Sequence, residues 1–170
     1  MALLKILKFP NPRLRIVALP VVNVDAAFRQ TINDMYETMY AHRGVGLAAT
    51  QVDIHQRFFT MDVSEKQNQP LCVINPEITH QEGTQYDYHG CLSVGGGISD
   101  KIKRAERLHL QGIDLEGKKI SWDLEGLAAI CVQHEIDHLN GKLFVDHLSY
   151  LKQQRIREKL VKLQRVEPDE

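Results

Sequence analysis

No run in this chain approaches the roughly 18 apolar residues needed to cross a bilayer. The opening MALLKILKF is apolar, but Lys5 and Lys8 interrupt it, Pro10 and Pro12 follow, and no small-residue cleavage site appears. A secretory leader is therefore not expected. Cysteine is scarce: Cys72, Cys91 and Cys131 are odd in number and irregularly spaced. That argues against a disulfide framework and for a reducing, cytoplasmic compartment. An excess of one charge is lacking as well. With 21 Lys+Arg against 22 Asp+Glu, the net charge of -1 gives no general attraction to DNA or to an acidic membrane surface. Internal repeats and low-complexity linkers are absent, and 170 residues fit one domain, 1–170, expected to be a monomer with a core of its own.

What the chain does have is concentrated near its C-terminal end, in GLAAICVQHEIDHLNG at 126–141. His134 and His138 stand four apart, so on a helix both imidazoles face one side and can hold one metal ion. Glu135, rotated by roughly 100° from His134, can reach a water at that metal without being a ligand. This is the pattern of a metal-assisted hydrolase with a carboxylate general base.

The remaining pattern is a mixture of strands and helices. Asn23 or Asp25 caps a predicted helix running to about Ala41, with Phe28, Ile32, Met35 and Met39 as its buried stripe. Strands are predicted at Arg57 to Val63, Leu71 to Ile74, Ile78 to Gln81, Leu108 to Ile113 and Lys119 to Trp122. Turns are predicted at Asn75-Pro76 and Glu116-Gly117. The metal helix is predicted from Leu124 to Leu139, closed by Asn140-Gly141, and a last helix over about 149–164. Strands gathered before a late helix predict an α+β fold: small, mostly antiparallel sheets packed around the central H-E-x-x-H helix.

Two histidines need a third protein ligand. The extended peptidase pattern H-E-x-x-H-x-x-G-x-x-H holds through Gly141 and fails at Phe144. Asp146, His147 and Glu158 remain candidates downstream without a familiar spacing. Among the thiols, Cys72 reads as a core residue in an apolar strand. Cys131 lies one turn before His134, about 10 Å along the axis from His138, and reads as pocket wall. Cys91, in His89-Gly90-Cys91-Leu92-Ser93, sits beside a glycine-rich loop; a thiolate from there is physically reasonable, and spacing does not decide it. Gly44 to Ala49 formally matches G-x-G-x-x-A, but a helix precedes it where a dinucleotide fold needs a strand. It reads better as a backbone edge for an extended peptide, with the Gln51 amide able to donate to an oxyanion.

GVGLAATQ at 44–51, GCLS at 90–93 and HEIDH at 134–138, in this order and separation, resemble the three motifs of the peptide deformylase family, bacterial type. ILKFPNPRLR near the start and GKLFVDHLSYLKQQRIREKL after the metal helix resemble it too. The resemblance implies a hydrolase that removes the N-formyl group from the formyl-methionine of nascent polypeptides. It implies one divalent metal ion, Fe(II) in the family's usual form, with Zn, Ni or Co as other occupants. Cys91, His134 and His138 would ligate the metal, Glu135 would be the general base and acid, and Gln51 with the Leu92 N–H would hold the oxyanion. Gly44, Val45, Gly46, Gly90, Leu127, Ile130 and Cys131 would contact substrate, with His89 and Arg104 as further candidates of unassigned role.

Two features depart from the family pattern. His89 stands where glutamate is usual, and Gly95-Gly96-Gly97 where a proline is usual. His89 reads as a polar wall, a pH-sensitive group or a solvent-facing replacement, and the glycines are expected to loosen the loop behind Cys91. From Lys152 to Arg165, six basic residues face one acidic residue, Glu158. That is a solvated helix face or, as in related bacterial enzymes, an arm that docks on the ribosome. A metallopeptidase and a non-catalytic module binding formylated termini or ribosomes are the competing readings.

Overall fold

A computed structural model of the chain describes residues 2–95 and 98–166. Gly96 and Gly97, two of the three glycines expected to loosen the loop, lie outside the described residues. The fold is α+β. Strands β1 (Gly46–Ala48), β2 (Phe58–Met61), β3 (Leu71–Glu82), β6 (Arg107–Ile113) and β7 (Lys119–Glu125) form one sheet in the order β1-β2-β3-β6-β7. Each neighbouring pair in that sheet is antiparallel. Strands β4 (Gln85–His89) and β5 (Asp100–Arg104) pair separately as an antiparallel ribbon.

Helix α1 (Ala26–Ala41) begins where Asp25 accepts a hydrogen bond from the Phe28 N–H at 2.8 Å, a side-chain cap for an otherwise unpaired donor. Its stripe of Phe28, Ile32, Met35 and Met39 is buried against Phe58, Cys72 and Ile74. Helix α2 (Gly126–Leu139) packs on the five-stranded sheet, with Ala129, Val132 and Leu139 in one cluster with Phe59, Val73 and Leu110. It ends at Leu139, followed by Gly141 at φ +75, the left-handed position that the Asn140-Gly141 signal predicts. Helix α3 (Tyr150–Val166) closes a third cluster, in which Leu160 meets Phe9, Leu14, Val94, Ile102 and Phe144.

Three expectations change. The predicted turn at Asn75-Pro76 is a kink inside one strand. The register of β3 on β6 shifts between Ile74 and Glu77, and Asn75 at φ +49 uses its side chain to hold Val21. Proline cannot donate to a ladder, so it occupies the irregularity rather than ending the strand. Helix α2 starts two residues later than predicted because Leu124 pairs with Leu108 in β7. The β4–β5 ribbon was not predicted; its outward residues Tyr86, Tyr88, Lys101 and Lys103 are exposed, so no continuous apolar pattern marks it.

Candidate active site

Helix α2 presents His134 and His138 to one point. Their rings lie 4.8 Å apart between centroids, and their Nε2 atoms are 3.1 Å apart. The Cys91 Sγ comes from the loop after β4 and stands 3.2 Å from the His138 Nε2. The ligand atoms of Cys91, His134 and His138 all lie within 4.8 Å of one another, and among the described residues no other group of three or more His, Cys, Asp and Glu does so. Burial, followed by the positive charges of Arg104 and Arg15, pushes His138 down to about 3. Burial first, then the neighbouring His138, lowers His134 as well, so both imidazoles are neutral, the form that ligates. Burial and then the Glu135 charge push the Cys91 thiol up to about 12. A buried sulfur held this way gains from a nearby cation, which favours its thiolate. One sulfur and two imidazole nitrogens fit a borderline divalent transition metal.

Glu135 is buried beside this group, with its Oε2 unpartnered in the protein. Burial pushes its carboxyl up to about 8, into the range where a carboxylate can both take and return a proton near neutrality. Gln51 is 1% exposed. Its Oε1 accepts from the Ala48 N–H at 3.0 Å, which aims the amide group; Nε2 donates to the Ser93 Oγ at 3.1 Å and lies 3.5 Å from the Cys91 Sγ.

A cavity of about 400 Å³ adjoins the donor group. Gly44, Val45 and Gly46 form one wall, Leu127, Ile130 and Cys131 the facing helix, and Gly90 and Leu92 a third side. Gly46 is required by close approach: a Cβ there would lie 2.8 Å from both the Cys131 Sγ and the Glu135 Oε1. Arg43, Tyr88 and Ile98 also line the cavity. No motif of the sequence marks these three; Tyr88, two residues before Gly90 and outside any apolar pattern, carries the one signal.

His89 is not a solvent-facing replacement. It is 4% exposed, and its ring stacks on His134 at 6.0 Å between centroids and 18° between planes. Burial first, then the Arg104 charge, pushes it down to about 4. Arg104 does not line the cavity beside the donor group. It is buried, donating to Asp137 Oδ2 at 2.6 Å, with His147 Nε2 3.2 Å from the same oxygen. It borders a larger cavity of about 740 Å³ that touches none of Cys91, His134, Glu135 and His138. Of the other third-ligand candidates, Asp146 pairs with Arg15, His147 faces Asp137, and Cys72, in β3, is buried in the cluster with the α1 stripe.

The family model described as polypeptide deformylase matches residues 3–154. A curated peptide deformylase of Alkalilimnicola ehrlichii is 54% identical over 166 residues, 97% of this chain and 93% of that protein. One of Chromobacterium violaceum is 53% identical over 162 residues, 95% of this chain and 96% of that protein. The crystal structure of a Legionella pneumophila peptide deformylase superposes with a TM-score of 0.92 at 44% identity, covering 98% of this chain and 99% of that one. That of the Ehrlichia chaffeensis peptide deformylase in complex with actinonin gives 0.92 at 39%, covering 97% of this chain and 99% of that one. The metallopeptidase and non-catalytic readings fall with these matches. Near-complete coverage, half of the residues identical and the same fold make this chain a member of the peptide deformylase family, a metal-binding hydrolase that acts on formylated nascent peptides.

Proposed function

We propose that the chain is one catalytic domain, 1–170, in which Cys91, His134 and His138 hold a single divalent metal ion, Fe(II) by resemblance. The observation that carries this is the convergence of the three ligand atoms within 4.8 Å beside the buried Glu135. The bound ion supplies Lewis acidity and brings the pKa of water towards neutrality. Glu135 accepts the proton of the attacking water at its unpartnered Oε2 and returns it to the departing amine nitrogen. The Gln51 Nε2 and the Leu92 N–H donate to the formyl oxygen as it gains charge. The methionine side chain enters the cavity between Val45 and the helix residues Leu127, Ile130 and Cys131. His89, stacked on His134, acts as a neutral wall of that cavity.

An anaerobic assay of iron-loaded protein for formate release from a formyl-methionyl peptide tests this reading. Wild type releasing formate at least ~100-fold faster than Glu135→Ala supports it; equal rates refute it. The site is complete within one chain, which supports a monomer. The basic face of α3 is assigned to ribosome docking on its charge, and binding that persists unchanged at high salt would contradict that assignment.

A further inference from the structure

The loop that carries Cys91 and Leu92 is held by a segment at the other end of the chain. The Leu7 N–H donates to the Gln51 carbonyl at 2.7 Å, and the Phe9 N–H donates to the Ser93 carbonyl at 2.7 Å. Between them, the Lys8 ammonium donates to the Leu92 carbonyl at 2.6 Å. The Cys91 carbonyl is taken from within the loop, by the Val94 N–H at 3.0 Å and the Gly95 N–H at 2.9 Å. Three consecutive carbonyls, at 91, 92 and 93, therefore each have a donor. Fixing the carbonyls on both sides of Leu92 fixes the two peptide planes that meet at its Cα, and so the direction of its N–H.

The segment is itself anchored at both ends. Ile6 is buried with Phe28, Met35 and Phe58, whereas Phe9 is buried in the separate cluster with Val94, Ile102 and Leu160. Lys8 lies between Leu7 and Phe9, both packed on the second cluster, and supplies the one charge-assisted bond of the set, stronger than its neutral neighbours. The tether meets the loop at Leu92 and Ser93, two residues short of Gly95, the first of the glycines that stand where the family usually has proline.

We infer that residues 7–9 form a strap that sets the spacing of the two oxyanion donors, Gln51 and Leu92, and that Lys8 is its positioning residue. The inference rests on the oxyanion roles given above. Lys8 touches no reacting atom; it acts by holding the Leu92 carbonyl so that the N–H of the same residue meets the formyl oxygen. Loosening a donor costs less than deleting it, which typically costs about 100-fold or more in kcat.

The test compares metal-loaded wild type, Lys8→Met and Lys8→Arg at matched metal content. Formate release is read as kcat and KM, and amide hydrogen exchange is read at 91–95 and along α2. Lys8→Met keeps the aliphatic stem and removes the donor. The expected result is a fall in kcat of about 5–20-fold, KM within about twofold, faster exchange at 91–95 only, and recovery of most of kcat in Lys8→Arg. Unchanged kcat or unchanged exchange in Lys8→Met overturns the inference. So does a loss of activity that follows metal loss or that Lys8→Arg does not restore. Wild type that releases no formate would instead refute the deformylase reading itself.

Discussion

Two regions contribute to the proposed metal-binding group in different ways. Helix α2 offers His134 and His138 through its own periodicity, and nearly every side chain around them is packed into the core. The loop at Cys91 has no regular structure. It depends on contacts with residues remote in sequence: Lys8, Phe9 and Gln51. A helix places two ligands at almost no extra cost, because backbone hydrogen bonds have already fixed their spacing. A loop needs one tether for each group it must orient. Substitutions on the helix should therefore remove chemistry or metal, whereas substitutions around the loop should degrade geometry.

Glu135→Gln breaks this comparison most strongly. It should lower kcat by about 1,000–10,000-fold while metal content, measured by emission spectroscopy, stays at the wild-type level. Gln51→Ala, on the loop side, removes the amide that links β1, Ser93 and the Cys91 sulfur. A kcat lower by about 100–1,000-fold, with metal retained, is the expected outcome of steady-state kinetics. Gly46→Ala tests where the two regions meet. Its Cβ would push on the Cys131 Sγ and the Glu135 Oε1, so kcat should fall by about 10–100-fold, with a melting temperature lower by several degrees.

The smallest effect concerns His89. Its folded pKa is depressed, to about 4 from 6.5, so between those values the unfolded chain binds a proton that the folded protein excludes. Stability is then complete above pH 6.5 and falls as the pH drops towards 4, by at most about 2 kcal/mol at pH 5. His89→Gln should flatten this slope in denaturant titrations at pH 7 and pH 5. With the ring uncharged near neutrality, the shape of the kcat/KM profile from pH 7 to 8 should not change.

The sequence made the two regions unequally legible. His134, Glu135 and His138 were readable because the helical repeat converts spacing into geometry, and α1 was readable through Asp25 and its stripe for the same reason. Cys91 was a reasonable ligand whose spacing decided nothing; only the family resemblance singled it out, since loop geometry depends on distant partners. Lys8 gave no signal in ILKFPNPRLR, because a lysine on an extended segment is ordinarily solvated. The β4–β5 ribbon escaped detection because only His89, Ile102 and Arg104 of its residues are buried, and two of those three are polar. A solvent-facing replacement is one of three readings that the sequence leaves open for His89, and its burial against His134 is a tertiary fact.

Metal-edge X-ray absorption of the iron-loaded protein tests directly whether the two regions share one ion. Wild type should show one sulfur neighbour together with imidazole nitrogens, and Cys91→Ser should lose the sulfur while keeping the nitrogens. A wild-type spectrum without sulfur, or a sulfur neighbour that persists in Cys91→Ser, would contradict the assignment of Cys91, His134 and His138.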